Sequence, residues 1–410
     1  MSSGRTLVLL TASYPFGVRN ETFLENEIPI LAERFDEVFV LPSRRRPGRR
    51  ALPPGTELVE MRWLEKPQRL ARLGALLEGQ TRQLLSSVVR YPDRWGRTAG
   101  GLKTQLDVLT SNILKANELR AFIEERGLRD AIFYDYWFEN STLALSLLRA
   151  SGDVRLAVAR AHGFDLYDER WPSGQVPFRE LKAEGLDRIF PVSAHGRDYL
   201  AERIPWASER IEVQRLGVLA QSSDVEERSS TPLVVSCGSL LPFKRTHLIP
   251  ELLARLNQGV RWIHFGDGPD RARVEQAAQH LPSRVNWELR GDVPNSEVLE
   301  LYRGERVDAF VSMSAYEGIP VSMMEAISFG IPLLGMYVYG VPEIVNAQTG
   351  ICLPVDIEPE GAASALAEVL TPGRFDRSTI RGFFAKNYEA SANYTEFAKQ
   401  LLKLQNDEPS

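Results

Sequence analysis

The chain has 410 residues, of which 43% are hydrophobic and 25% are charged, an ordinary globular composition that excludes a disordered or collagen-like protein. Its formal net charge of -5 argues against a protein that binds nucleic acid over its whole length. The two cysteines and five histidines form no disulfide framework and no Cys/His cluster, so we expect a cytoplasmic protein without a metal site.

Short apolar runs alternate with amphipathic segments along the chain, beginning at residues 7–10. That first run is shorter than the apolar core of a signal peptide, so it predicts a buried strand. No later segment reaches the roughly 18 apolar residues of a membrane span. Strand–helix alternation predicts parallel sheets with helices on both faces. Strands are predicted at residues 7–10, 38–41, 131–134, 156–159, 188–192, 233–237, 260–265, 285–289, 309–313 and 333–336, and helices at 22–34, 114–126, 247–256, 270–280 and 377–404, the last interrupted at 390–392.

A polar stretch divides the predicted strands into two series. Residues 220–231 (AQSSDVEERSST) lack apolar periodicity, and Pro232 precedes the strand that begins the second series. We therefore predict an N-terminal Rossmann-like domain at residues 1–222, a C-terminal one at 223–385 and a helical segment at 386–410. This α/β fold class does not by itself assign a function.

Basic residues are concentrated in the first quarter of the chain. Residues 44–103 contain fourteen Lys or Arg and five Asp or Glu, a net +9, so the rest of the chain carries -5 - 9 = -14. Residues 68–90 combine leucines with arginines, and Trp63 and Trp95 lie on either side. This pattern predicts a basic amphipathic helix on an anionic membrane surface. The alternative is an ordinary helix with one buried face and one solvated basic face.

The most informative stretch is residues 308–330, DAFVSMSAYEGIPVSMMEAISFG. Its apolar start predicts a strand, and Pro320 and Gly330 are typical of the first turn and the C-terminal stop of a helix. The turn between them lies at the carboxyl end of a parallel strand, where open α/β sheets bind ligands. The amides of residues 318–321, apart from the proline, are therefore predicted to face an anion.

Glu317 and Glu325 bracket this turn. Beside a bound phosphate, carboxylates accept hydrogen bonds from neutral hydroxyl groups such as those of a sugar. Each has an alternative: Ser322 and Glu325 have the spacing of a helix capping box, and Glu317 is equally consistent with a solvated loop acid. The spacing alone leaves these alternatives open.

The pattern S-x-x-E-G-x-P-V-S-x-x-E-A-x-x-x-G-x-P around the two glutamates resembles the signature of the retaining nucleotide-sugar glycosyltransferases of family four. Similar motifs follow along nearly the whole chain and are more specific in its second half. They are SYPFG at 13–17, RAHGFDLY at 160–167, SCGSLLPFKR at 236–245, FGDGP at 265–269, LRG at 289–291 and GVPEIV at 340–345. The resemblance implies the GT-B fold, in which two Rossmann-like domains face each other across a cleft and C-terminal helices pack back on the N-terminal domain.

The resemblance also implies an activity. A retaining enzyme of this kind moves a hexosyl group from a UDP- or GDP-linked sugar to a glycan or lipid-linked glycan during cell-surface polysaccharide synthesis, without a metal or other cofactor. We expect it in the cytoplasm or at the inner face of the plasma membrane, with no nucleic-acid partner. The alternatives are a phosphorylase or epimerase of the same fold, and a catalytically silent partner subunit.

Roles for individual residues follow from the resemblance. Glu317 would hold the donor sugar, Lys244 would neutralise its diphosphate, and His162 would hydrogen-bond a sugar hydroxyl. Without the resemblance, Lys244 is interpreted as a surface lysine and His162 as a structural histidine. Glu325 would bind the ribose hydroxyls. The other implied donor-binding residues are Gly17, Ser239, Arg245, Gly266, Arg290, Gly291, Gly318, Ile319 and Val321.

One departure from the family pattern affects the diphosphate. Many family members have an arginine where this chain has Ser239, so neutralisation of the diphosphate charge depends more on Lys244, and Arg245 is a second candidate. Three further residues are candidate acceptor contacts. They are Asp165, Ser193 and His195.

Overall fold

The computed structural model describes residues 5–17, 21–64, 99–139, 141–171, 174–221, 225 and 229–406. The chain forms two compact units, the first made of Met1–Gln214 with Tyr394–Ser410 and the second of Arg215–Asn393. The sequence predicted boundaries after residues 222 and 385, whereas these divisions follow Gln214 and Asn393.

The first unit is built on a parallel sheet. Its strands are β1 (Thr6–Thr11), β2 (Glu37–Pro42), β3 (Thr56–Leu58), β4 (Ile132–Asp135), β5 (Leu156–Ala161) and β6 (Arg188–Pro191). They form a six-stranded sheet in the order β3-β2-β1-β4-β5-β6. Every residue of β1 is buried, because a central parallel strand is covered on both faces and needs an apolar run. The five strands predicted here are confirmed, and β3 is additional.

The helices of the first unit are α1 (Leu24–Ala32), α2 (Ala99–Arg126), α3 (Thr142–Ala150), α4 (Arg179–Glu184) and α5 (Ala194–Arg203). The amphipathic helix predicted at residues 68–90, and Trp95, lie outside the described residues. Trp63 is described, and its indole Nε1 donates to the Pro42 carbonyl at 2.9 Å. Within the described ranges, none of the helices combines the length and the apolar character that crossing a membrane requires.

A buried ion pair lies in the core of the first unit. Glu27 Oε1 accepts hydrogen bonds from Arg160 at 3.1 Å and from the Tyr134 hydroxyl at 3.0 Å, and both charged side chains are fully buried. The Arg160 guanidinium lies 4.4 Å from the ring centroid of Phe397 in the last helix of the chain. The contacts of Glu27 with Arg160 and Tyr134 therefore join α1 to β4 and β5. Loss of either charged residue would leave the other as an unpaired buried charge, which is strongly destabilising.

The second unit is also built on a parallel sheet. Its strands are β7 (Leu233–Cys237), β8 (Val260–Phe265), β9 (Val285–Gly291), β10 (Ala309–Ser312), β11 (Leu333–Met336) and β12 (Gly350–Leu353). They form a six-stranded parallel sheet in the order β12-β11-β10-β7-β8-β9. The five strands predicted here are confirmed, and β12 is additional. Because neighbouring strands are parallel, the loops that carry the sequence motifs leave one edge of the sheet.

The remaining helices are α6 (Ile249–Arg255), α7 (Arg271–Gln279), α8 (Asn295–Gly304), α9 (Val321–Ser328), α10 (Pro359–Val369), α11 (Arg377–Asn387) and α12 (Ala390–Asn406). The break between α11 and α12 lies near the interruption predicted at residues 390–392. Helix α12 begins in the second unit, and from Tyr394 onward it belongs to the first. Tyr394, Phe397 and Leu401 are buried there, as the implied return of the C-terminus requires.

Candidate functional site

The motif at residues 308–330 forms a strand, a loop and a helix in that order. Strand β10 ends at Ser312, and α9 begins at Val321 after Pro320, which caps it with extended backbone (φ -66, ψ 126). Pro320 thus lies one position before the helix that it was predicted to begin. Gly330 follows the helix with φ 73, the left-handed conformation that a helix-ending glycine adopts.

The amides at the start of α9 are candidates for binding an anion. The amides of Met323 and Met324 both donate to the Pro320 carbonyl, at 3.1 and 3.2 Å. Among the described residues, no hydrogen bond is made by the amides of Gly318, Ile319 and Val321. Unpaired amides at a helix N-terminus attract negative charge because the helix dipole adds to their own polarity.

Glu325 does not form a capping box. Helix α9 has no side-chain cap, and Glu325 Oε1 instead accepts a hydrogen bond from Asn295 Nδ2 at 3.0 Å, at the start of α8. Burial raises the pKa of Glu325 to about 7, and the Asn295 hydrogen bond opposes the increase. Ionising this buried carboxylate costs free energy while no ligand is bound. Hydrogen bonds donated by a ligand would stabilise the charged form, so Glu325 is suited to accept them.

Lys244 and Glu317 are brought together by the fold. Lys244 ends a short 3-10 helix, Pro242–Lys244, in the loop after β7, and its ammonium donates a hydrogen bond to Glu317 Oε1. Only 25% of the lysine side chain and 13% of the glutamate side chain are exposed. A partly buried lysine paired across 73 positions of sequence is not the solvated surface lysine of the alternative interpretation, and Glu317 is not a solvated loop acid.

A small open recess lies beside Lys244 at the carboxyl ends of β7 and β10. Its lining includes Cys237, Gly238, Ser239, His264 and Ser312. Most of these groups are small or polar, and Lys244 supplies a positive charge. The recess is therefore suited to a compact anionic group rather than to an apolar ligand.

His264 in this lining had no predicted role. The Ser236 hydroxyl oxygen accepts a hydrogen bond from Trp262 Nε1 at 3.0 Å and lies 2.8 Å from His264 Nδ1. The Ser236 hydroxyl thus joins the Trp262 indole to the His264 imidazole. Burial lowers the pKa of His264 to about 4, so the ring is neutral at pH 7. Its position at the end of β8, just before the FGDGP motif, was the available signal.

The first glycine of the FGDGP motif, Gly266, is required by close packing between two loops. Gly266 has φ 135, and a Cβ atom there would lie 2.0 Å from the Gly238 carbonyl oxygen. The Gly238 amide donates to the Phe265 carbonyl at 2.9 Å. The glycines therefore let the loops after β7 and β8 meet beside the recess, where Ser239 is exposed.

Arg245, Arg290 and Gly291 do not join the Lys244–Glu317 pair. Arg245 Nε donates to the Met313 carbonyl at 2.8 Å, so it supports the loop after β10. Arg290 pairs with Glu288 at 3.1 Å, and the Gly291 carbonyl accepts from Gly266 at 2.7 Å. Among the described residues, no hydrogen bond or ion pair links these groups to Lys244 or Glu317.

His162, in the first unit, follows β5 and is held by Asp165. The Asp165 carboxylate accepts from the amides of His162 at 2.8 Å and Gly163 at 3.0 Å, and lies 3.5 Å from His162 Nδ1. Burial raises the pKa of Asp165, but hydrogen bonds from the His162 side chain and from the His162 and Phe138 amides bring it below the ordinary value. The ionised carboxylate only accepts, so Nδ1 carries the proton.

The other ring nitrogen of His162 is available to a ligand. Nε2 is buried and has no hydrogen-bond partner among the described residues. Burial lowers the pKa of His162, so the ring is neutral and Nε2 presents a lone pair. A neutral imidazole oriented in this way accepts a hydrogen bond from a hydroxyl group.

The remaining residues predicted in the first unit have different surroundings. Gly17 has φ 78, and its amide donates to the Gly48 carbonyl at 2.9 Å. Ser193 is buried and caps α5 by accepting from the Gly196 amide at 2.9 Å, so it has a structural role that its sequence position did not reveal. Asp165 is fully buried and serves His162. His195 is exposed and lies 3.1 Å from the Tyr167 hydroxyl.

The chain is similar in sequence to known glycosyltransferases. Residues 220–382 match the family described as glycosyl transferases group 1. WcaL of Salmonella typhimurium is 28% identical over 275 residues, which cover 63% of this chain and 65% of that protein. WcaL of Escherichia coli is 30% identical over 235 residues, which cover 54% of this chain and 56% of that protein. Their names assign both to colanic acid biosynthesis as glycosyltransferases, and each match spans less than two thirds of the relative.

Solved structures share the whole fold. The lipopolysaccharide outer core galactosyltransferase WaaB has a TM-score of 0.69 and 15% identity, covering 96% of this chain and 99% of that one. Anabaena HepE, solved with UDP and glucose, has a TM-score of 0.62 and 15% identity, covering 98% of this chain and 100% of that one. At these identities the likeness establishes the fold alone, the two-domain α/β GT-B fold.

Proposed function

Because residues 220–382 match the family described as glycosyl transferases group 1, we propose that the protein moves a hexosyl group from a nucleotide-diphosphate sugar to a glycan or lipid-linked glycan. Bacterial surface-polysaccharide synthesis is the setting suggested by the WcaL relatives. The UDP and glucose bound to HepE support a nucleotide-sugar donor. The pairing of Lys244 with Glu317 beside the unpaired amides of α9 is the observation that carries the proposal.

The proposed chemistry begins with an exchange of partners. Lys244 leaves Glu317 and binds the donor diphosphate, which frees the Glu317 carboxylate to accept hydrogen bonds from the sugar ring. Glu325 accepts hydrogen bonds from the ribose hydroxyls. As the bond between the anomeric carbon and the diphosphate oxygen breaks, its electron pair goes to the phosphate. The ammonium and the α9 amides then stabilise a growing charge, which lowers the barrier.

The acceptor completes the reaction in this proposal. Its hydroxyl oxygen forms a bond to the anomeric carbon from the face that the diphosphate leaves, so the configuration is retained. The hydroxyl proton goes to the departing phosphate oxygen. His162 Nε2 accepts a hydrogen bond from a sugar hydroxyl and orients the ring. No metal or other cofactor takes part in these steps.

Donor turnover is the direct test of this function. With a panel of UDP- and GDP-linked hexoses and a glycan acceptor, we expect release of free nucleoside diphosphate only when both substrates are present. The product should keep the anomeric configuration of the donor by NMR. Glu317→Ala and His162→Ala should each lower turnover by roughly 10²-fold or more, because each removes a group that orients the sugar.

Other results would favour the alternatives. Release of a sugar 1-phosphate from a glycan on addition of inorganic phosphate would indicate a phosphorylase, and interconversion of nucleotide sugars without an acceptor would indicate an epimerase. A silent partner subunit would show no turnover in wild type or in either variant. Equal turnover in all three proteins would remove the catalytic assignment of Glu317 and His162.

Membrane contact through the basic region is a separate proposal. Arg44, Arg45 and Arg46 are exposed, although Arg45 also pairs with Glu60. Replacing the three arginines with glutamates is expected to weaken binding to anionic vesicles, since each basic residue near such a surface contributes about 1 kcal/mol. Flotation with anionic and with neutral vesicles measures this. Equal flotation of wild type and variant with anionic vesicles would contradict the proposal.

A further inference from the structure

Glu21, between β1 and α1, is a buried acid in a strained conformation. It is 8% exposed, and its φ of 53 lies in the left-handed region that a residue other than glycine rarely adopts. Such strain persists only where the surrounding structure holds the residue firmly, and it is frequent at functional sites. The contacts of the carboxylate show what holds it.

Two loops donate five hydrogen bonds to this carboxylate. In the loop after β1, the amides of Ala12, Ser13 and Tyr14 lie 2.9, 2.6 and 2.8 Å from its oxygens, and the Ser13 hydroxyl lies 3.0 Å away. The fifth donor is the indole Nε1 of Trp137, in the loop after β4, at 2.7 Å. Because β1 and β4 are neighbours in the sheet, one side chain joins the loops at their carboxyl ends.

The same indole packs against His162. The ring centroids of Trp137 and His162 are 4.4 Å apart, and those of Tyr136 and His162 are 4.8 Å apart. Phe23, which follows Glu21 by two positions, has its ring centroid 6.1 Å from that of His162. Three rings therefore surround the imidazole whose Nε2 is buried without a partner among the described residues.

We propose that Glu21 is a positioning residue, which fixes Trp137 and the loop at residues 12–14 so that His162 Nε2 is aimed at a hydroxyl of the sugar substrate. That the ligand is a sugar rests on the proposed function, whereas the contacts among Glu21, Trp137 and His162 do not depend on it. Glu21 touches no reacting atom. It acts through the indole that it holds and through its negative charge.

The negative charge of Glu21 also affects the pKa of His162. Burial lowers the pKa of His162, the hydrogen bond and charge of Asp165 raise it, Arg160 lowers it, and Glu21 raises it. Without the Glu21 charge, burial and Arg160 still lower the pKa of His162 and Asp165 still raises it, but one raising contribution is lost. The pKa of His162 should then fall further, so the acid side of the pH profile of kcat/KM should move to lower pH.

Glu21→Gln tests the proposal, since it keeps the shape but removes the charge and presents an amide N–H to groups that are themselves donors. We expect kcat to fall by roughly 10²-fold, as for a small misplacement of an aligned group, with a smaller change in the KM of the donor. In NMR spectra the Trp137 indole N–H resonance should shift, and the titration midpoint of His162 should move to lower pH.

Glu21→Asp separates position from charge. It keeps the charge but withdraws the carboxylate by one methylene, so kcat should fall while the His162 midpoint stays near that of wild type. Glu25→Gln is the matched control, because this exposed acid of α1 pairs with Arg50 at 2.8 Å and should change neither quantity. A lower melting temperature with an unchanged kcat and His162 midpoint would overturn the proposal.

The two NMR measurements need no substrate. If the protein transferred no sugar, the Trp137 and His162 shifts of Glu21→Gln would still appear, and only the proposed function would fail. If sugar transfer were confirmed but the shifts were absent, the positioning role of Glu21 alone would be wrong.

Discussion

Replacing Lys244 by alanine is expected to lower kcat by roughly 10²–10³-fold, the loss typical of removing one group that stabilises a developing negative charge. The ammonium is pre-positioned beside the recess by the short helix that it ends, and it donates a hydrogen bond to Glu317. Affinity for the free nucleoside diphosphate should fall as well. Steady-state kinetics and calorimetric titration with UDP and GDP measure the two effects.

Glu317→Gln should behave differently from Lys244→Ala. It also lowers turnover, but it releases the ammonium from its partner, so binding of the diphosphate should be unchanged or tighter. Lys399→Ala is a matched control, because this lysine is 64% exposed and lies 3.7 Å from Glu396 in α12. Wild-type diphosphate affinity and turnover in Lys244→Ala would remove Lys244 from the proposed site.

Gly340→Ala is expected to destabilise the second unit and to abolish most activity. A Cβ atom at position 340 would lie 2.2 Å from the Gly318 carbonyl oxygen and 2.9 Å from its carbonyl carbon. The contact is with backbone, so no side-chain rotation relieves it, and the loop before α9 must move. Overpacking of this kind costs about 1–3 kcal/mol, and a displaced loop misdirects the amides of Gly318, Ile319 and Val321.

Gly382→Ala is the control for this substitution. Gly382 lies inside α11 with no atom within 4 Å of its would-be Cβ, so alanine should stabilise the helix by about 1 kcal/mol and leave turnover unchanged. Thermal unfolding and nucleotide titration distinguish the two variants. Wild-type stability and nucleotide affinity in Gly340→Ala would show that the loop before α9 tolerates displacement.

The parallel sheets could be predicted because their central strands are buried on both faces. Residues 7–10 and 309–311 are all apolar, and runs of this kind indicate a strand before any neighbour is known. The edge strands β3 and β12 escaped prediction. Two of the three residues of β3, Thr-Glu-Leu, are polar because one side of an edge strand faces solvent, and β12, Gly-Ile-Cys-Leu, begins with a glycine, a residue that weakens a strand.

The site was predictable in part. The residues from Pro320 to Gly330 carry local signals for a helix start and stop, and the glycines of FGDGP indicate close backbone approach. No local pattern indicated that Glu325 pairs with Asn295, or that Glu21 accepts from Trp137, because these partners lie 30 and 116 positions apart. The spacing of Ser322 and Glu325 fitted a capping box that the helix does not use.

The order of strands and helices and the loop before α9 follow from local sequence, because propensity, periodicity and glycine placement act over a few neighbouring positions. Which charged side chains meet depends on how distant parts of the chain pack together. Lys244 reaches Glu317 because β7 and β10 are adjacent in the sheet, and Asp165 fixes the proton of His162 because the loop after β5 folds back on itself. Burial, which sets the pKa of Glu325 and of His162, depends on the packing of the whole chain and has no local signature.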